Sequence, residues 1–202
     1  MTIEILLASA ALAFVIAFIA GLGRVSRFAV IRKVTAIYVE LFRGTSLLVQ
    51  LFWIFFALPA FGIQFSAFLA SVVALGLNYG AYGSEIVRGA IIAIPKGQTE
   101  ASIALNMTNF QRMRLVILPQ AFRMMLPGFG NISIELLKGT SLVSLITLTD
   151  LTYRGLIIQN TNISYTMPVF VTLLIAYFLV ALPLIILARS LEKRYAKGVA
   201  SA

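Results

Sequence analysis

Few residues in this chain could do chemistry, and most of them sit within or beside apolar stretches. Strongly polar or ionisable side chains at membrane depth are costly and are functional candidates for that reason. Asn78, Asn131 and Glu135 are of this kind, and Lys138 and Asp150 follow close behind. A zwitterion needs one acceptor and one donor, which Glu135 or Asp150 and Lys138 could supply. Glu135 and Lys138 are also three residues apart, a spacing at which they could instead pair with each other. Glu85 and Arg88 share that spacing and read as an internal ion pair anchoring a loop.

What is missing narrows the chemistry further. The 202 residues include no His and no Cys, so there is no thiol nucleophile, Ser-His-Asp triad, disulfide, or His- or thiolate-ligated metal. Seven acidic residues are too dispersed for a carboxylate-only metal cage. No catalytic residue is expected, and a Ser–Lys dyad is the one hydrolytic arrangement composition leaves open. Lys138-Gly139-Thr140-Ser141 has the letters of a phosphate-binding loop without its leading glycine, so the chain carries no ATP site of its own.

Composition fixes the elements that must hold these residues. Hydrophobic residues make up 60% and charged residues 11%, against about 25% charged in a soluble domain, and mean hydropathy is +0.99. An all-α integral membrane protein is expected, a single domain over 1–202. At roughly 20 residues per span, five helices are predicted, at about 5–22, 46–62, 65–82, 121–137 and 167–187. The fourth is read as interrupted by Pro127, Gly128 and Gly130, either a gating hinge or a packing kink. Residues 141–149 are too short to span and read as a short surface or re-entrant helix. Ala13, Ala17 and Gly21 in the first helix, and Gly76 and Gly80 in the third, form small-residue faces suited to close helix packing. Trp53 and the tyrosines read as packing residues or interfacial anchors.

The net charge of +9 reports orientation rather than nucleic-acid binding. Arg24, Arg27, Arg32, Lys33 and Arg43 lie between the first two spans. Arg88, Lys96, Arg112, Arg114 and Arg123 lie between the third and fourth. Arg189, Lys193, Arg194 and Lys197 follow the last. Only Lys138 and Arg154 fall on the other side, so the N-terminus is expected outside and the C-terminus in the cytoplasm.

The loop at about 95–119 is longer than a connector needs. Pro95 and Gly97 are read as a break, Thr99 as the cap of a short helix, and Glu100 as an anion in its first turn. Ala101, Ala104, Leu105 and Thr108 then share a small, mostly apolar face. Asn106 suits the left-handed corner that ends a helix. Thr108 and Gln111 form a capping box for a second short helix ending near Leu118-Pro119. Such an elbow could dock in a partner's groove or lie on lipid.

The stretch Thr99-Glu100-Ala101-Ser102-Ile103-Ala104-Leu105-Asn106-Met107, followed by Ile117-Leu118-Pro119-Gln120-Ala121, resembles the EAA loop of ABC-importer permeases. Tyr38 to Gln50, Asn78 to Gly89 and Leu136 to Leu142 are similar to matching segments of the polar-amino-acid permease family (histidine, glutamine and arginine type). Ser102 and Asn106 depart from the family's usual Ala and Gly, and Ala-Leu-Asn-Met is similar to the ectoine and hydroxyectoine branch. The resemblance implies a type I ABC-importer permease fold in a multi-pass bacterial inner (plasma) membrane protein. It also implies two ATPase subunits carrying ATP and magnesium, a second permease chain of the same or a related kind, an extracytoplasmic solute-binding protein, and a lipid surround. Thr99, Glu100, Ala101, Ser102, Ala104, Leu105, Asn106 and Met107 would be the coupling helix seated on the ATPase. The alternative is a channel-like or scaffolding membrane subunit that works without ATP, though no filter segment stands out.

Overall fold

The computed structural model describes residues 1–196; Lys197, counted above among the basic residues, lies outside them. The described residues are helical, with no strand. The elements are α1 (Thr2–Arg24), α2 (Ala29–Gly44), α3 (Leu47–Phe52), α4 (Ala67–Ile92), α5 (Lys96–Ala104), α6 (Asn109–Arg112), α7 (Leu118–Gly139), α8 (Leu151–Thr161) and α9 (Thr166–Ala196). Two helices, Thr2–Arg24 and Ile163–Tyr195, are each long and apolar enough to cross a membrane. Two bent pairs, Ala29–Gly44 with Leu47–Phe61 and Asn109–Ile146 with Leu151–Thr161, would raise the number to four if each is one span.

The packing of α1 against α4 is the spine of the fold. A Cβ on Gly76 would lie 2.5 Å from Leu12, and one on Gly80 would lie 2.7 Å from Ile16. On the other side, a Cβ on Gly21 would lie 2.6 Å from the Val87 Cβ and 2.9 Å from the Ser84 carbonyl. Each of these glycines therefore seats a larger side chain of the other helix, and the two helices pack closely along this line. Leu75, Tyr79, Leu136 and Leu137 extend this core onto α7.

Several expectations are corrected. Residues 29–44 form a helix rather than a loop: Val30, Val34, Ile37 and Leu41 repeat at helical spacing on an exposed face. At the edge of that face, the Tyr38 hydroxyl donates to the Leu77 carbonyl at 2.6 Å. The second predicted span is not one α-helix, because α3 continues as a π turn (Trp53–Ala57) and a 3-10 turn (Leu58–Phe61). Helix α7 runs unbroken through Pro127, Gly128 and Gly130. Its glycines are contact points, Gly128 beneath Ile86 of α4 and Gly130 beneath Ala188 of α9. The short segment after α7 is a 3-10 helix, Thr140–Ile146, with Thr140, Val143 and Ile146 fully buried rather than on the surface. A further helix, α8, was not read from the sequence.

Candidate functional site

The elbow begins where Pro95 ends α4's run. A residue before proline is driven out of helical geometry, and proline itself can head a helix because the missing N–H has no intrahelical partner there. Helix α5 therefore starts at Lys96 with Pro95 as its cap. This corrects the capping role given to Thr99: Thr99 and Glu100 lie in the second turn.

The far end of α5 is as expected. Asn106 adopts φ 54°, the Met107 N–H donates to the Ser102 carbonyl at 3.0 Å, and the Asn106 N–H donates to the Ile103 carbonyl at 2.9 Å. This bond pair closes a helix through a left-handed residue. The capping box follows, with the Gln111 N–H donating to Thr108 Oγ1 at 3.3 Å and the Thr108 N–H donating to Gln111 Oε1 at 2.9 Å. The helix it starts does not stop at Leu118-Pro119. It passes from α6 through a π turn, Met113–Ile117, directly into α7.

Only Ser102 of α5 is fully enclosed, its hydroxyl donating to the Gln98 carbonyl. Thr99 and Met107 are half-buried. Glu100, Ala101, Ala104, Leu105 and Asn106 are exposed, as are Ile103 at 56% and Phe110 at 70%. The elbow holds its own shape by backbone and capping bonds while leaving an apolar face uncovered.

The other candidates separate into two groups. Asn131, Glu135 and Lys138 fall at four- and three-residue steps on one face of α7, and all three are exposed. Glu135 and Lys138 form no ion pair with each other; the ion pairs among the described residues lie elsewhere. A polar row on an apolar helix must face protein or water rather than lipid, so this face is built to be covered or wetted.

Asn78 and Asp150 are engaged in holding helices. Asn78 is buried and donates to the Phe42 carbonyl and to Gln50 Oε1, both at 3.0 Å. Gln50 in turn donates to the Phe42 carbonyl at 2.9 Å and to Thr45 Oγ1 at 2.6 Å. These two amides secure the 104° corner between α2 and the arm that begins with α3. An almost wholly apolar cavity of about 480 Å³ lies beside them, lined by Leu41, Val49, Trp53 and Leu77 among others, and it is no environment for an unpaired charge. Asp150 is 2% exposed. It caps α8 by accepting the Tyr153 N–H at 2.8 Å, and it receives the Tyr177 hydroxyl of α9 at 3.3 Å.

Glu85 gathers more than its expected partner. Arg88 donates Nε and a terminal nitrogen to one carboxylate oxygen at 3.1 and 2.8 Å. Arg24 of α1 lies 3.2 Å away and Arg43 of α2 lies 3.9 Å away. Arg24 and Arg43 served the sequence only as orientation charges. They come from α1 and α2, far along the chain from Glu85, so no local pattern signals their convergence.

Comparison with known proteins fits this geometry. Residues 13–197 match the family described as binding-protein-dependent transport system inner membrane component. A probable amino-acid ABC transporter permease protein of Sinorhizobium fredii is 46% identical, over 95% of this chain and 82% of its own length. The L-cystine transport system permease protein of Bacillus subtilis is 37% identical, over 98% of this chain and 85% of its own. Among solved structures, a chain of an amino acid ABC transporter crystallised with histidines superposes with a TM-score of 0.88 at 37% identity, covering 96% of this chain and 90% of that one. The chain belongs to the family of binding-protein-dependent transport system inner membrane components, as a membrane permease component.

Proposed function

We propose that the chain forms the translocation pathway of an ATP-driven importer for polar amino acids or related zwitterionic solutes, ectoine-type compatible solutes included. The relatives named for amino-acid and L-cystine transport favour a substrate with paired charges. Asn131, Glu135 and Lys138 on the open face of α7 would meet it, and Asn78 and Asp150 would stand behind as positioning residues. Five spans, N-terminus outside and C-terminus in the cytoplasm, agree with the distribution of Lys and Arg. A second permease chain, two ATPase subunits with ATP and magnesium, and an extracytoplasmic binding protein would complete the complex.

The observation that carries this reading is the elbow: a short helix fixed by its own hydrogen bonds, with Ala101, Ala104 and Leu105 turned away from the chain's core. We assign it to the groove of the ATPase. Co-expression with candidate ATPases should give capture by the parent chain and none by Glu100→Lys. Equal capture by the two would remove the coupling role from α5. Uptake assays in vesicles holding the full complex, with labelled glutamine, cystine, arginine and ectoine in competition, would then identify the solute.

A further inference from the structure

Two turns among the described residues are wider than an α-helix, and in each the second residue after the turn is a proline. In one, the Leu58 N–H bonds to the Trp53 carbonyl and Pro59 follows. In the other, the Leu118 N–H bonds to the Met113 carbonyl and Pro119 follows. A proline inside a helix lacks an N–H and its ring strikes the carbonyl four residues back. An extra residue in the turn moves that carbonyl aside. Pro127 and Pro183 stand inside α7 and α9 with no such turn before them, so the wide turn is particular to Pro59 and Pro119.

The second turn stands between the elbow and the polar face of α7. Helix α5 packs on it, and one side chain ties the three parts together. Gln120 Nε2 donates to the Val116 carbonyl at 2.9 Å and to Gln98 Oε1 of α5 at 3.0 Å. The helix beyond is anchored, Gly128 under Ile86 and Gly130 under Ala188. Gain or loss of one residue in a turn rotates everything on one side by about 100° relative to the other.

We infer that the Met113–Ile117 turn is the joint through which movement of the elbow rotates α7, with Pro119 and Gln120 as its positioning residues. This rests on α5 being the ATPase-docking helix. Pro119 keeps the turn from closing to a regular α turn, and Gln120 fixes the angle of α5 to it. Pro119→Ala supplies the missing N–H and removes the ring clash, so the turn can tighten and the elbow falls out of phase with the α7 face.

The test uses the whole complex of permease, ATPase and binding protein in proteoliposomes. ATPase capture, stimulated hydrolysis and substrate uptake are measured on the same preparations. Pro119→Ala and Gln120→Ala should keep ATPase capture while uptake per ATP hydrolysed falls roughly tenfold, within the usual range of coupling between sites. The paired variant Gln98→Glu with Gln120→Lys, which replaces the amide bridge by an ion pair, should regain most of what Gln120→Ala loses. With no native cysteine in the chain, Met124→Cys, two turns before Asn131 on the same face and 45% exposed, can report the α7 face by thiol labelling. Its labelling rate should change on ATP trapping in the otherwise unaltered chain and stay fixed when Pro119→Ala is added. Unchanged uptake per ATP in both variants would overturn the joint, as would loss of capture by Pro119→Ala, which would make that residue part of the docking surface. Normal capture by Glu100→Lys would instead sink the docking assignment of α5, a separate result.

Discussion

The Glu85 cluster and the elbow are near neighbours in sequence and opposite in construction. Around Glu85, three helices bring guanidinium groups to one carboxylate, and the polar groups look inward to one another. In the elbow, the polar backbone is satisfied locally, by the closing bonds at Asn106 and the box at Thr108, and the apolar side chains look outward. One region uses hydrogen-bonding groups to hold separate helices together. The other uses them to hold a single shape and leaves its apolar surface for something else. Polar residues alone do not mark a functional site in this chain; what matters is whether their partners are within the chain or still to come.

Substitutions can break that contrast, and the largest effects on stability belong inside. Glu85→Ala would leave Arg24, Arg43 and Arg88 facing one another without a counter-charge. The expected loss is about 3 kcal/mol, the low end for a broken buried pair, because 21% of the side chain stays exposed. Thermal melting of the purified complex would read it; an unshifted midpoint would mean the cluster holds nothing. Gly21→Ala comes next, at about 2 kcal/mol for overpacking against Val87 and the Ser84 carbonyl, visible as a lower midpoint and weaker α1–α4 crosslinking. In the elbow, Asn106→Val puts a β-branched residue at φ 54°. This should cost about 1–2 kcal/mol locally, seen as faster amide exchange over α5 with little change in global melting, while Asn106→Gly is neutral. Thr108→Ala should cost about 1 kcal/mol and fray the start of α6 in the same measurement. Glu100→Lys closes the series, shifting stability by no more than about 0.5 kcal/mol yet abolishing ATPase capture. If that variant melted like Glu85→Ala, the two regions would not differ in kind.

How much of this was legible in the sequence depends on how far each partner lies along the chain. The apolar runs, the left-handed corner at Asn106, the Thr108–Gln111 box and the small-residue faces of α1 and α4 carry their signals within a few residues or in simple periodicity. Helix α2 has apolar periodicity too, but its basic residues place it as a connector between two spans. The roles of Asn78 and Gln50 depend on the Phe42 carbonyl and on each other across distant helices, which no local pattern encodes. Asp150 looked like a pathway residue because an acid beside apolar sequence is unusual; in the fold it caps α8 and holds α9. Pro95 both breaks α4's run and heads α5, because its missing N–H has no intrahelical partner there, so one residue carries two signals that the sequence does not separate.

The pairing of α1 with α4 sets an order of events during synthesis. Helix α1 is long and apolar enough to cross a membrane, whereas α4 carries Asn78, Glu85 and Arg88 along its length. The first must therefore enter the bilayer and wait, for several seconds at roughly 5–20 residues per second, with Ser9, Ala13, Ala17 and Gly21 unpartnered. When α4 emerges, that waiting face offers a surface along which a segment with charged side chains can be drawn in. Helix α1 would then act as an insertion template, and the prediction follows that removing residues 1–24 leaves α4 outside the bilayer. Glycosylation mapping on either side of Ala67–Ile92 would detect the stranded segment, and normal integration of α4 without α1 would refute the idea.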